Sequence, residues 1–313
     1  MIFRTEINIP KQESVINYDS KMVLFGSCFA ENIGHKLDYY KFQNLTNPYG
    51  ILFHPIAIEN ALNEIYQNKI YTENDLYFHN DLWQSFNHHS KFSSESKNEI
   101  LNAINNAIKN ANNLLTKATH IIITLGTAWV YEFSEHQQLV ANCHKISQKK
   151  FEKRLLSLDE IQQSIQNIIS LIKDFQPTST IIFTVSPVRH LSNGIVENNQ
   201  SKALLLTAIH QVINQKNSFY FPSFEIMMDD LRDYRFYKND LIHPSDLAVD
   251  YIWNQFKKSW IDEKSYLLMD EIDDVQKALQ HKPFNENSPK HQAFIKNLQQ
   301  KIDYLSTKHQ IHF

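Results

Sequence analysis

The chain has 313 residues, 42% hydrophobic and 12% aromatic, which suffices for a substantial buried core and excludes a disordered chain. Its 31 basic and 34 acidic residues leave a formal net charge of -3, with no cationic excess to neutralise phosphates, so nucleic acid is not expected as a partner. The amino terminus mixes an acid with its apolar residues, no window approaches the ~18 apolar residues of a membrane span, and Cys28 and Cys143 form no disulfide framework. These features predict a cytoplasmic protein without a membrane partner, acting on small neutral or polymeric substrates.

In chain order, the apolar run 22–25 predicts a buried strand that stops at Gly26-Ser27 and turns directly into a helix with Ala30, Ile33, Leu37 and Tyr40 on one face. Ile56, Ala57, Ala61, Leu62 and Ile65 repeat the helical spacing. Residues 70–95, rich in aromatics and histidine, interrupt the alternation, after which Ser96-Lys-Asn-Glu99 reads as a capping box ahead of a third helix. A second buried strand spans 120–125, and a second interruption spans 128–152. Another capping box, Ser157-Leu-Asp-Glu160, opens a helix through Ile172; strand 180–185, helix 199–214, a weaker strand 219–221 and helix 246–259 follow. Strand alternating with helix implies right-handed crossovers and a three-layer α/β/α domain over 1–264, with the two interruptions as cap insertions. Residues 265–313 read as a helical extension with helices 270–280 and 290–306; the stripe Ile295, Leu298, Ile302 and Leu305 suits packing on the main domain, or a dimer contact.

Only five glycines occur, and Gly26, Gly50 and Gly126 each end or follow an apolar segment, as turns on one sheet edge would. A hydroxyl at such an edge sits where open α/β sheets bind ligands, which makes Ser27 a candidate nucleophile. Far downstream, Asp240-Leu-Ile-His243 precedes the final helix of the domain, and an Asp three residues before a His can orient the imidazole while the other ring nitrogen serves as base. The plainer readings are a helix N-cap for Ser27 and a polar loop for Asp240 and His243. His54, His88, His89, His144 and Cys143 offer metal-binding chemistry without a metal-motif spacing; substrate hydrogen bonding by His89 or His144 is the alternative, and no resident cofactor is expected. Trp83, Phe86, Phe92, Trp129 and Tyr131 can wall a sugar site or pack a core. Arg189-His190, at a strand end, can reach a substrate group or brace the loop.

Gly26-Ser-Cys-Phe-Ala30, Asn47-Pro-Tyr-Gly50 with His54, His88-His-Ser90, Thr124 to Tyr131, Asn142-Cys-His-Lys145, Ser186-Pro-Val-Arg-His190 and Asp240-Leu-Ile-His243 together resemble the recurring segments of the GSCFA family. That family resembles the wider SGNH or GDSL-type hydrolases, which implies a flavodoxin-like α/β/α fold and ester hydrolysis through a serine. The resemblance puts Ser27 in the nucleophile position, His243 and Asp240 in those of base and orienting acid, and the Gly50 amide in the oxyanion hole, beside the Ser27 amide. The wider group carries an Asn two residues after a glycine as a further donor, whereas Gly126 here is followed by Thr127, Ala128 and Trp129. Thr127, Asn142 and His144 are candidates to replace it, Asn142 offering the same amide chemistry. The reading is a serine esterase that removes a small acyl group, such as acetyl, from a carbohydrate or related metabolite. Its rivals are a catalytically silent glycan-binding module and a metal-dependent hydrolase.

Overall fold

A computed structural model describes residues 4–285 and 287–313, apart from the Asn193 side chain. Strand β1 (Lys21–Gly26) feeds helix α1 (Cys28–Tyr39), β2 (Gln43–Thr46) and α2 (Pro55–Tyr66), and a hairpin of β3 (Tyr77–His79) and β4 (Leu82–Gln84) precedes α3 (Lys97–Leu115). Strand β5 (His120–Leu125) leads into three short strands, β6 (Trp129–Phe133), β7 (Gln138–Val140) and β8 (Phe151–Leu155). Helix α4 (Leu158–Phe175), β9 (Thr180–Val185), α5 (Ile195–Val212) and β10 (Ser218–Tyr220) follow. A helical turn, α6 (Ser223–Glu225), then α7 (Asp246–Trp260), α8 (Tyr266–Gln280) and α9 (Pro289–His309) complete the chain.

The five-stranded sheet runs β10-β9-β5-β1-β2 with every pair parallel, the flavodoxin-like order with helices on both faces. Alternate residues of the central strands divide the core. Val23, Phe25, Ile121, Ile123, Ile181 and Phe183 face α2, α3, α4 and α5, while Met22, Leu24, Ile122 and Ile182 face α1 and α7. Burial on both faces explains why 22–25, 120–125 and 180–185 are continuous apolar runs. Ser157 and Glu160 form a reciprocal capping box at α4; at α3, Ser96 accepts from the Glu99 amide while the Glu99 carboxylate bonds Ser94 instead.

Strand β2 lies at the sheet edge with one apolar residue, Leu45, and was not predicted; neither were the β3–β4 hairpin and the antiparallel sheet β7-β6-β8 that occupy the two interruptions. Helices α5 and α8 each begin four residues before their predicted starts, and α9 continues past residue 306 to His309. Helix α8 is tied to α1, since Tyr39 donates to Asp273 (2.8 Å) and Gln276 donates to the Tyr39 carbonyl (2.8 Å). On α9, Leu298, Ile302 and Leu305 pack with Ile272 and Val275 of α8, while Ile295 stays exposed. No described helix is long and apolar enough to cross a membrane, and both cysteines are free thiols.

Gly26 adopts φ +136°, and a β-carbon there would run into the Thr124 carbonyl of the neighbouring strand. Gly26→Ala is therefore expected to cost at least ~2 kcal/mol, combining backbone strain with forced overlap. Urea unfolding of the variant measures it, and an unchanged midpoint would contradict the tight approach of β1 and β5.

Candidate active site

The loops leaving β1, β2 and β5 are knitted together at the carboxyl edge of the sheet. Gly26 N donates to Asn47 Oδ1 (2.9 Å), Leu52 N to Gly26 O (3.0 Å), and Gly126 N and Thr127 N both donate to Phe53 O (2.8 and 3.0 Å). Ser27 caps α1, its hydroxyl accepting from the Phe29 amide at 3.4 Å, and is 0% exposed. Its own amide donates to Thr124 O (3.1 Å), and the Gly50 amide donates to Asn47 O (2.8 Å), so both backbone groups expected to face an oxyanion already hold carbonyls. Gly50 needs its glycine for space and for φ +75°, since a β-carbon would meet the His89 side chain.

The Asp240–His243 pair forms as the spacing implies. Lys238 N donates to His243 O (2.8 Å) and Ser245 N to Phe236 O (2.7 Å), closing the loop at its base. Leu241 then takes φ +59°, a strained conformation for a bulky residue, and the turn aims two amides at one carboxylate oxygen. Asp240 Oδ1 accepts from Ile242 N (2.9 Å) and His243 N (3.0 Å), while Oδ2 meets His243 Nδ1 at 2.7 Å. The His243 and Ile242 amides, followed by the His243 ring, hold the Asp240 pKa down at about 2. With Nδ1 on the carboxylate, Nε2 is left as the free basic nitrogen.

Among the described residues, the Ser27 hydroxyl has no hydrogen bond to His243. His190 connects the two halves. A β-carbon at Gly126 would lie 3.1 Å from His190 Nε2 and 3.3 Å from Ser27 Cβ, so serine and imidazole flank one small niche, which the Phe53 carbonyl also borders at 3.1 Å. On the other side, Arg189 N donates to Ile242 O (3.2 Å), and the Arg189 guanidinium lies 4.2 Å from the Tyr237 ring centre. Arg189 thus braces the Asp240–His243 loop.

The floor of this edge is the buried face of α5, which the sequence reading treated as ordinary helix. Asn198 Oδ1 accepts from His190 N (2.8 Å), and Ser201 Oγ accepts from Ala128 N (2.7 Å) and meets Thr127 Oγ1 (3.1 Å). Lys202, 1% exposed, donates from Nζ to Gly126 O and Ser186 O, both at 2.7 Å, just beyond the ends of β5 and β9. Burial lowers its pKa to about 7, opposed by the nearby Cys28 thiol. A lysine on the stripe Asn198, Leu205, Ile209 was the available sequence signal.

Beside the niche lies a pocket of about 200 Å³ lined by Phe53, His54, Thr127, Trp129, Tyr131, Asn142, Cys143 and His190, among others. Thr127 and Asn142 reach this pocket, as do Trp129 and Tyr131 of the aromatic residues singled out. Phe86 instead packs with Phe133 and Phe151, and Trp83 and Phe92 against the main core. His144 donates Nε2–H to Ser85 O (2.8 Å), and His89 uses Nδ1 to accept from Lys91 N (3.3 Å). His54 caps α2 through Nδ1 and reaches Val140 O through Nε2 (3.2 Å). Among the described residues no three His, Cys, Asp or Glu side chains converge as a metal site.

The family model described as GSCFA family matches residues 21–256, and that described as GSCFA domain protein, C-terminal domain, matches 272–313. The chain belongs to the GSCFA family. No curated protein matches this GSCFA chain. Among solved structures, a carbohydrate esterase family 3 from Talaromyces cellulolyticus is 10% identical with a TM-score of 0.36. An acetyl esterase mutant with acetate ion is 10% identical with a TM-score of 0.38. Each alignment covers 82% of this chain and 99% of the other.

Two measurements probe the geometry of this GSCFA edge. Between pH 7 and 9 the unfolded chain keeps the Lys202 proton while the folded chain releases it, so stability should rise with pH, by up to ~1.4 kcal/mol per unit. Urea titrations should show that rise in the wild type and lose it in Lys202→Met; equal slopes would mean that Nζ is not the group responsible. Leu241→Asn, which tolerates positive φ, should leave stability unchanged or raise it by up to ~1 kcal/mol. A large loss on thermal melting would argue against αL strain at this turn.

Proposed function

We propose that the protein is a serine-dependent ester hydrolase in which Ser27 attacks, His243 moves the proton and Asp240 orients and steadies the imidazole. The observation that carries this reading is the Asp240–His243 pair, with Oδ2 on Nδ1 at 2.7 Å and a basic nitrogen left over, on a loop tied through Arg189-His190 to the niche beside Ser27. In the reaction, Ser27 Oγ bonds to the ester carbon as its proton passes to His243 Nε2. Collapse of the tetrahedral species breaks the ester bond, and the leaving alcohol takes the proton from His243. Water then adds to the acyl carbon while giving a proton to His243, and the Ser27 oxygen departs with that proton, releasing the acid. The Ser27 hydroxyl must turn from the Phe29 amide toward the imidazole for this to occur.

Trp129 and Tyr131 give the adjoining pocket aromatic walls, with Thr127 and Asn142 as polar groups, a lining suited to a compact hydroxylated alcohol. We therefore assign the substrate as a small acyl ester, such as an acetyl ester, of a carbohydrate or related metabolite. A second reading, a silent glycan-binding module, is favoured by one observation: Ser27 is fully buried and its hydroxyl rests on an amide rather than on a base.

Turnover of para-nitrophenyl acetate and labelling by a fluorophosphonate separate the two. The wild type should label and turn over, Ser27→Ala should do neither, and Asp240→Asn should lose at least ~10²-fold in turnover with the fold retained. Absence of wild-type labelling and turnover would leave the binding module, and full activity of Asp240→Asn would remove that carboxylate from the mechanism.

A further inference from the structure

Ester hydrolysis at Ser27, the reading on which this inference rests, creates a negative oxygen that needs a donor. Four backbone amides at this edge are engaged: Ser27 N with Thr124 O, Gly50 N with Asn47 O, and Gly126 and Thr127 N with Phe53 O. Of the side-chain candidates, Thr127 Oγ1 is shared between Ser201 Oγ and Trp129 N, and His144 Nε2–H is on Ser85 O. Asn142 accepts from His144 N through Oδ1 and stands on the wall of the adjoining pocket, not among the groups at the Gly126 niche. Position 128, where the wider hydrolase pattern has its Asn, is an alanine buried in the core. Three buried groups next to this edge that can donate have no partner among the described residues, Asn47 Nδ2, Thr124 Oγ1 and His190 Nε2. Of these, His190 Nε2 shares the Gly126 niche with Ser27, while Asn47 is held through its own Oδ1 on the β2 side and the Thr124 side chain faces Gly26 of the neighbouring strand.

We propose that His190 donates its Nε2–H to the carbonyl oxygen that becomes negative as Ser27 Oγ bonds to the ester carbon, and so replaces the missing amide donor. The ring is held for this role. Its backbone N–H is fixed by Asn198 Oδ1, its face meets the Phe53 ring edge at 5.3 Å between centroids, and the preceding amide binds the Asp240–His243 loop. Burial first, then the positive charges of Lys202 and His243, lowers its pKa to about 3, so near neutral pH the ring is uncharged and carries one N–H. A desolvated donor with no acceptor among the described residues is preorganised, since no bond to any of them must break when the oxyanion forms. Lys202, behind the Gly126 carbonyl, adds positive potential from below without touching substrate.

The test compares wild type, His190→Phe and His190→Gln with para-nitrophenyl acetate. Loss of one such donor is expected to lower kcat by about 10²–10³-fold with KM nearly unchanged, and Gln, which keeps an N–H donor, should recover at least about tenfold of that loss. A His190→Phe protein with wild-type kcat overturns the assignment while leaving Ser27 hydrolysis intact. An unreactive wild type removes the hydrolase reading and this donor with it. Should the substitutions unfold the protein, ¹⁵N-histidine wild type is inhibited with the fluorophosphonate. A His190 Nε2 proton moved downfield and protected from exchange supports the contact with the bound oxyanion, and an unshifted resonance rules it out.

Discussion

A buried lysine nitrogen with no carboxylate partner among the described residues holds the working edge of the sheet. Strands β5 and β9 are parallel neighbours, so the carbonyls of Gly126 and Ser186 emerge side by side where the ladder ends, each still needing a donor. One Lys202 Nζ satisfies both. The Gly126–Thr127 peptide is then gripped at each end, its carbonyl by Lys202 and its N–H by Phe53 O, which leaves the unsubstituted Cα of Gly126 facing Ser27 and His190. Burying the charge costs several kcal/mol in a dry interior, and two charge-assisted hydrogen bonds offset part of it. The depressed pKa is the remainder of that cost made visible.

The same edge shows why the sequence reading stopped where it did. Strands β1, β5 and β9 are buried on both faces, so composition alone betrays them, and the helices around them carry apolar stripes. Helix α5 does not advertise its inner face, because Asn198, Ser201 and Lys202 occupy part of the stripe and serve the loops above instead of a hydrophobic core. Strand β2 is nearly all polar because it lies at the edge, and the strands of the two interruptions are three to five residues long, too short for periodicity to register.

Within the candidate site, local spacing was the legible part. Asp240 and His243 lie three residues apart in one turn, so their pairing depends on a few backbone angles, and Ser27 sits at a strand-to-helix junction marked by glycine. Histidine chemistry was not legible, because an imidazole's role depends on its distant neighbours. His54 and His88 are buried and held neutral by desolvation, with pKa values of about 4 and 3, the first capping a helix and the second stacked on Tyr49. Only the folded loops distinguish them from His190: the Nε2 atoms of His88 and His190 both lack a partner among the described residues, but that of His190 alone borders the Gly126 niche beside Ser27.

The two halves of the site differ in how tightly they are held, and that decides which one moves. His243 and Asp240 have side chains 43% and 45% exposed, yet their contact is short and the carboxylate is fixed by two further amides. Ser27 is buried, but its hydroxyl is held by one long hydrogen bond of 3.4 Å, near the limit at which such a bond contributes much. Rotating the serine about its side-chain bond therefore costs less than releasing Asp240 from three donors. In the proposed reaction the base stays where the strained turn at Leu241 puts it, and an ester entering beside Gly126 meets a hydroxyl free to turn from a helix cap into a nucleophile.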